Sequence, residues 1–215
     1  MKKSLLALVF AVALAVPALA ENMWVGGSFS YSSDNSKIEY NGGGEDTMSS
    51  TSWSIEPEFG YSLNEKWDIG LDLGYESNQG VTSLYGVDLQ QILPPWINSV
   101  DTTAMGIAPF ARFHVAQIAG IDVMFKGSII YAKGEMKAEG ESIDYSAYGV
   151  SIAPVISYSI NETWSIGATL NFAELSFTHA EIDAKDVAGI TPKSDQFGFN
   201  LNDGSLISIG FSYHF

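Results

Sequence analysis

The chain contains no cysteine. Disulfide bridges and thiolate metal sites are therefore excluded. Basic residues are also scarce, with 10 lysines and arginines against 25 aspartates and glutamates and a formal net charge of −15. This excess of negative charge repels nucleic acid, so we predict no nucleic-acid partner. After residue 20 no apolar run is long enough to cross a bilayer as a helix.

The longest apolar run lies near the N-terminus. Lys2 and Lys3 precede apolar residues 5–16, and Ala18-Leu19-Ala20 matches the small-residue pattern of a processing site. The run is shorter than the ~20 residues of a transmembrane helix. We therefore predict a secretory signal peptide over 1–20, cleaved after Ala20, in preference to an uncleaved anchor. One domain then occupies 21–215.

The last nine residues alternate bulky apolar side chains with small or polar ones. A period of two is the signature of a β-strand with two different faces. Serine, glycine and one histidine form the small face, which suits a crowded lumen, whereas the bulky face suits lipid. The bulky positions are Ile207, Ile209, Phe211, Tyr213 and Phe215.

A strand–turn–strand pattern occurs twice in the sequence. Residues 54–70 match residues 151–167, and the same frame returns more loosely at 106–113. Both full copies contain a tight Asn-Glu-x turn followed by a strand that opens on tryptophan. Repeated hairpins of this kind predict an up-and-down antiparallel barrel.

Alternating runs predict eight strands, at 22–33, 51–63, 67–76, 103–116, 120–132, 146–160, 164–174 and 204–215. Three of the connections are tight, and the other four are long, at roughly 34–50, 77–102, 133–145 and 175–203. Short periplasmic turns and long external loops are the outer-membrane pattern. Aromatic residues gather near the strand ends, as expected of an interfacial girdle.

Together with the C-terminal motif, this pattern resembles the small eight-stranded outer-membrane β-barrel family, the OmpA- and OmpX-like barrels, across the whole mature chain. The resemblance implies an all-β, closed transmembrane barrel in the bacterial outer membrane, monomeric and surrounded by lipid and lipopolysaccharide. It also implies insertion by the barrel assembly machinery. The assembly signal would then be Ile209, Phe211, Tyr213 and Phe215.

Three prolines lie inside predicted strands, namely Pro57, Pro109 and Pro154. Proline lacks the ladder donor, so each is expected to remove one hydrogen bond or to lie at a bulge. Their similar place in each repeat suggests a shared kink.

Charged residues on the inward face are predicted to meet at one depth. Pairing about a turn near residue 65 puts Glu58 opposite Asp72, and pairing about residue 119 puts Arg112 opposite Lys126. The predicted lumen cluster is Glu58, Asp72, Arg112 and Lys126, with Glu56 and His114 one step away. We favour a structural plug, because buried ion pairs often serve specificity. The alternative is a gate that exchanges salt-bridge partners and admits small ions.

Catalysis on such a barrel would need a nucleophile–base pair or an acid–histidine couple near the outer rim. Only His179 lies in a predicted external loop, with Glu181 and Asp183 nearby and no serine motif. We predict no catalysis, no cofactor and no dedicated metal site. The acidic loops are interpreted as solvated, and sharing of divalent cations with lipopolysaccharide is the alternative.

The segment 84–97 is apolar for an external loop. We predict a short helix ended by Pro94 that folds over the barrel mouth or dips into the outer leaflet. Exposed apolar patches often mark contact sites. The candidate contact residues for a partner or a small apolar ligand are Tyr85, Leu89, Leu93 and Trp96.

Three functions remain open at this point. The leading one is a non-enzymatic barrel with a side-chain-filled lumen and a structural or surface-interaction role. The second is a narrow pore or apolar-solute channel, gated by the lumen charges, with 84–97 as a lid. The third is a soluble lipocalin-like binding barrel, in which large aromatic side chains would crowd the interior while glycine and serine faced water.

Overall fold

A computed structural model describes residues 22–39, 45–84, 87–89, 100–138, 141–170, 173–185, 190–199 and 208–215. The predicted signal peptide lies outside these residues. The strands are β1 (Met23–Glu39), β2 (Glu45–Asn64), β3 (Trp67–Val81), β4 (Ser83–Leu84), β5 (Val87–Asp88), β6 (Val100–Ile118), β7 (Ile121–Ala138), β8 (Glu141–Ser159), β9 (Trp164–Thr169), β10 (Leu175–Asp183), β11 (Lys193–Phe199) and β12 (Ser208–His214). Among the described residues, no helix has the length and apolar character needed to cross a bilayer.

Eight of the described strands close an antiparallel barrel in the order β1-β2-β3-β6-β7-β8-β9-β12, and β12 pairs back with β1. The predicted all-β closed barrel is therefore confirmed. Tight turns join β2 to β3, β6 to β7 and β8 to β9 at one end, called here the turn end. The opposite end is called the loop end. Closure pairs strand edges with one another, which lipid requires because it offers no hydrogen bonds.

Large side chains point outward along most of the barrel, as predicted. Trp53, Trp67 and Trp164 are 36–46% exposed, and Phe211 is 56% exposed. Ring pairs form at two heights, with Trp67 on Phe113 near the turn end and Trp53 on Tyr75 nearer the loop end. Outward ring pairs at two heights agree with the two girdles expected of a membrane barrel. A lipocalin-like barrel would require these large side chains to point into the barrel.

Asparagine side chains shape two of the tight turns. The Asn64 Oδ1 accepts hydrogen bonds from the amides of Lys66 (2.9 Å) and Trp67 (3.1 Å). In the second repeat, Asn161 Oδ1 accepts from Thr163 (2.9 Å) and Trp164 (2.8 Å). The sequence repeat is thus a repeat of one turn, in which a side-chain oxygen satisfies two backbone donors.

Removal of the asparagine side-chain oxygen from one of these turns should lower the stability of the barrel. We expect Asn161→Ala to lower the free energy of unfolding by about 1–2 kcal/mol, because two hydrogen bonds are lost. Asn161→Asp keeps the oxygen and should retain most of that stability. Urea unfolding in lipid vesicles measures the difference, with Glu162→Ala in the same turn as the control. Equal stability of the two alanine variants would contradict this account.

Much of the four predicted long loops is strand, which corrects the sequence interpretation. The β1–β2 ladder continues to Glu39↔Glu45, and the β7–β8 ladder continues to Ala138↔Glu141. Near the loop end the inner face of the barrel is apolar and the outer face is polar, the reverse of the part below. Met136 and Ile143 are buried inside, while Lys137 and Asp144 point outward. Where a barrel wall extends past the lipid-facing band, its outer face meets water and its apolar residues turn inward, so the sequence pattern there resembles a polar loop.

The seventh barrel strand is interrupted. β9 and β10 both pair with β8, but in different registers, and the break lies between Thr169 and Leu175. β11 then pairs with β10 to form a hairpin that extends the barrel wall toward the loop end. The sequence predicted His179 in an external loop, but it lies in strand β10.

The three strand prolines fall into two groups. The β2–β3 register is the same on either side of Pro57, and the β6–β7 register is the same on either side of Pro109, with unpaired positions at each proline. Pro154 instead lies beside the break in the seventh strand, where its carbonyl accepts a hydrogen bond from the Leu170 amide (2.9 Å). Pro57 and Pro109 thus each break a stretch of β-ladder without shifting its register, whereas Pro154 lies beside an irregularity in the neighbouring strand.

Candidate functional site

The lumen charges lie on four neighbouring strands. Glu58 on β2 pairs with Asp72 on β3, and Arg112 on β6 pairs with Lys126 on β7. These are the pairings expected from the turn positions, since a period of two puts every second side chain on the inner face. β3 and β6 are themselves paired, so the two hairpins bring the four charges together.

Glu58 is the centre of this charge cluster. Arg112 Nη2 lies 2.5 Å from both carboxylate oxygens of Glu58, and Lys126 Nζ lies 2.5 Å from Glu58 Oε2. Lys126 also lies 2.7 Å from Asp72 Oδ2. The four side chains are only 11–18% exposed. Two carboxylates and two cations therefore neutralise one another in a poorly solvated space, as buried charges require.

Two aromatic rings complete the plug around the cations. The Arg112 guanidinium carbon lies 4.6 Å from the Trp24 ring centroid and 5.0 Å from that of Phe110, and Lys126 Nζ lies 4.2 Å from Phe110. Trp24 and Phe110 are 2% and 5% exposed. These contacts are within the range of cation–π attraction. Rings and charges together fill this depth of the lumen, and we call the set the lumen plug.

Glycines make room for both rings. A Cβ at Gly60, which pairs with Trp24 across β1 and β2, would overlap the indole. A Cβ at Gly70 would overlap the Phe110 ring. These inward glycines thus allow close approach of another side chain, which no larger residue permits.

A second polar layer lies between the plug and the turn end. His114 Nε2 is 2.9 Å from Asp68 Oδ2, and His214 Nε2 is 2.9 Å from Ser165 Oγ. His114, predicted to accompany the charge cluster, instead pairs with Asp68. The Ser165–His214 contact has the distance of a nucleophile–base pair, but Ser165 is 4% exposed. This layer therefore satisfies buried polar groups and presents no accessible nucleophile.

A cavity of about 430 Å³ lies against the plug inside the barrel. The charge cluster forms one side, and serines of β7 and β8 form another, including Ser128 and Ser151. Glu56 lines it as well, two residues from Glu58 on the same face, and accepts from Ser54 Oγ at 3.3 Å. Glu56 thus lies one step from the cluster, at a cavity wall.

Apolar side chains fill the lumen nearer the loop end. We call this set the mouth cluster; its buried members are Leu89, Val100, Met136, Ile143, Tyr145, Ile182 and Ala184. Leu89 is 2% exposed, so it is not available as the exposed contact residue that the sequence suggested. Leu84 and Val87–Asp88 are strand and not the helix that the sequence predicted for this segment. Tyr85, Leu93, Trp96 and Pro94 lie outside the described residues.

The outer surface near the loop end carries a further histidine. His179 Nδ1 lies 2.6 Å from Asp195 Oδ1, and its ring stacks on Tyr148 with centroids 4.8 Å apart. Asp195 replaces the neighbours Glu181 and Asp183 that the sequence suggested as its partners. Within the described residues, no group of three or more histidine or acidic side chains is arranged to hold a metal.

Sequence reasoning missed the aromatic half of the plug. Phe110 lies two residues from Arg112 and therefore on the same, inner face of β6, where it pairs with Gly70. Trp24 on β1 pairs with Gly60, which is on the inner face of β2. Large inward rings opposite glycines were a usable signal. Asp68, Ser165 and His214 also lie on the inner faces of their strands and were missed as members of the polar layer.

Residues 4–215 match the family model described as "Outer membrane protein beta-barrel domain". Curated protein sequences gave no match. Among solved structures, Neisserial surface protein A is similar, with 11% identity, 91% of this chain and 98% of that chain covered, and a TM-score of 0.47. The translocator domain of the autotransporter NalP from Neisseria meningitidis has 8% identity, coverages of 100% and 96%, and a TM-score of 0.44. The attachment invasion locus protein Ail of Yersinia pestis has 11% identity, coverages of 91% and 100%, and a TM-score of 0.40.

Proposed function

Because this chain belongs to the family of outer membrane protein β-barrel domains, we propose that it is a non-enzymatic envelope barrel closed by its own side chains. Its role is structural or lies in surface contact through the hairpins of the loop end. The lumen plug carries this proposal: Trp24 and Phe110 are almost fully buried and both pack against Arg112 of the charge cluster. Eight strands enclose space for side chains and little more.

The plug supports a structural role better than a gate. Both oxygens of Glu58 contact Arg112, and Lys126 bridges Glu58 and Asp72. A switch of partners would leave a buried charge uncompensated, which is strongly unfavourable. The rings of Trp24 and Phe110 further restrict Arg112.

Planar-bilayer recording tests whether the lumen is closed. We expect the refolded protein to give no discrete conductance steps, because buried rings and paired charges occupy the lumen at the depth of the plug. Arg112→Ala is the matched test of the narrow-pore alternative, in which this arginine controls ion passage. If Arg112→Ala, like the unmodified protein, gives no conductance, the gate alternative is rejected. Conductance steps in the unmodified protein would overturn the closed-lumen proposal, and a change in those steps in Arg112→Ala would support the gate.

We also propose that the barrel performs no catalysis. Among the described residues, Ser165 lies within hydrogen-bond distance of His214, but it is buried and does not line the cavity. His179 is paired with Asp195 on the outer surface. Acyl transfer needs a nucleophile that the substrate can reach beside a base, and neither arrangement supplies it.

Two parts of the outer surface, an apolar band and an acidic region near the loop end, indicate what surrounds the barrel. The apolar band fits outer-membrane lipid and lipopolysaccharide, and Ile209 and Phe211 stay 54–56% exposed on the last strand, where the barrel assembly machinery would read them. Toward the loop end the surface is acidic. There a hydrogen bond from Ser142 and the charge of Lys137 hold the pKa of Glu135 below its usual value. We propose that this acidic surface keeps the hairpins solvated, and that the barrel is a monomer.

A further inference from the structure

Lys126 is an amine enclosed between two acids and an aromatic ring. Its side chain is 13% exposed, and its Nζ contacts Glu58 at 2.5 Å and Asp72 at 2.7 Å. The Phe110 ring centroid lies 4.2 Å from the same atom. The other lysine–carboxylate pairs of the described residues lie near the loop end, join one lysine to one acid at 3.2–3.5 Å, and leave the lysine side chain 59–67% exposed.

Asp72 is the acid with which this amine can react. The oxygen that Lys126 Nζ contacts is bonded directly to the Asp72 carboxyl carbon, so the two atoms that an amide bond would join are already adjacent. Groups held in such contact react far faster than the same groups free in solution. Glu58 pairs with Asp72 across β2 and β3 and lies within hydrogen-bond reach of its carboxylate, so one acid contacts both reacting groups.

We propose that Lys126 and Asp72 condense into an intramolecular amide bond once the barrel has folded, with Glu58 as the group that transfers the protons. Glu58 removes one proton from the Lys126 ammonium and donates it to the Asp72 carboxylate. The neutral amine then attacks the carboxyl carbon, and the new C–N bond replaces the C–OH bond. Glu58 transfers a second amine proton to the departing hydroxyl, water leaves, and Glu58 is again a carboxylate.

The charge balance of the cluster favours this reaction. Two carboxylates and two cations meet there, and condensation removes one of each. Glu58 and Arg112 then remain as a neutral pair, with both Glu58 oxygens in contact with Arg112 Nη2. Fewer charges stay in a poorly solvated space, where each has a desolvation cost. The three reacting side chains line the lumen cavity, which gives the water molecule a way out.

The bond ties β3 to β7 across β6, which lies between them in the barrel. It forms once, consumes the side chains that make it, and acts on no substrate. The inference rests on the lumen plug of the proposed function and makes one of its contacts covalent.

Intact-mass spectrometry of the denatured protein, after extraction from membranes, tests the bond. We expect the unsubstituted protein to be lighter than the mass calculated from its sequence by one water molecule. Lys126→Arg is the matched control, because it keeps the positive charge but has no amine that can form this bond, and it should lack the deficit. An equal deficit in the two proteins, or a deficit in neither, would overturn the proposal.

Tryptic peptides of the unsubstituted protein locate the bond and do not depend on the folding of any variant. Trypsin does not cleave after a lysine whose amine is part of an amide. We therefore expect residues 67–112, which contain Asp72, joined to residues 113–133, which contain an uncleaved Lys126. Complete cleavage after Lys126 would overturn the proposal.

The role of Glu58 is tested by two glutamine variants on the same face of β2. Glu58→Gln should give at least about tenfold less cross-linked protein at a fixed time after refolding, because the proton-transfer group is lost. Glu56→Gln, which removes an acid that contacts serines, should cross-link as the unsubstituted protein does. Equal cross-linking of the two variants would contradict the proposed proton transfer by Glu58.

Failure of the bond and failure of the closed lumen give different results. Conductance steps in planar bilayers would refute the closed lumen, whatever the mass of the protein. Equal mass deficits in the unsubstituted protein and Lys126→Arg would refute the bond and leave a plug held by ion pairs.

Discussion

We expect Glu58→Gln to lower the free energy of unfolding by about 3–5 kcal/mol, which is the cost of removing one partner from a buried ion cluster. Glu58 compensates both Arg112 and Lys126 at 2.5 Å. With glutamine in its place, Asp72 still reaches Lys126, but Arg112 is left as a buried cation held by two aromatic rings. Urea unfolding in lipid vesicles, followed by tryptophan fluorescence, measures the loss.

Glu56→Gln is the matched control for this substitution. Glu56 is two residues away on the same face of β2, and it contacts serine hydroxyls at 3.3–3.5 Å. Its loss should change stability by less than about 1 kcal/mol. Adding Arg112→Met to Glu58→Gln should recover part of the loss, because an apolar side chain replaces the uncompensated charge. Equal losses for the two glutamine variants would show that Glu58 is not the centre of the cluster.

The second large effect is expected at a glycine. Gly60→Val should cost about 3 kcal/mol or more, because its side chain would occupy the space of the Trp24 indole. The ring would have to leave its buried position against Arg112, so packing and cation–π contact are lost together. The same urea titration measures this loss.

Gly74→Val provides the comparison on the neighbouring strand. Gly74 also faces inward and lines the cavity, and among the described residues a Cβ added there would meet no atom of a non-neighbouring residue within 4 Å. Valine should be neutral or slightly stabilising there, by up to about 1 kcal/mol, since glycine carries an entropic cost in a strand. If the two valine variants were equally stable, Trp24 would not be fixed by Gly60.

The sequence predicted the barrel and the register of its charges from a short set of signals. A period of two fixes which side chains share a face, and a turn position then fixes which residues pair. Asn64 therefore sufficed to place Glu58 opposite Asp72. No comparable signal marked the extension beyond the membrane, where the inward residues are apolar and the alternation changes phase.

What the sequence by itself determined was the closed barrel, its lipid-facing surface and the meeting of Glu58 with Asp72 and of Arg112 with Lys126. These depend on local alternation and on turns, which act within one hairpin. Only the tertiary structure decided that Trp24 covers Arg112 and that Leu89 enters the mouth. Those contacts join strands far apart in the chain, so they depend on how closure shapes the lumen and not on the pattern within any one segment.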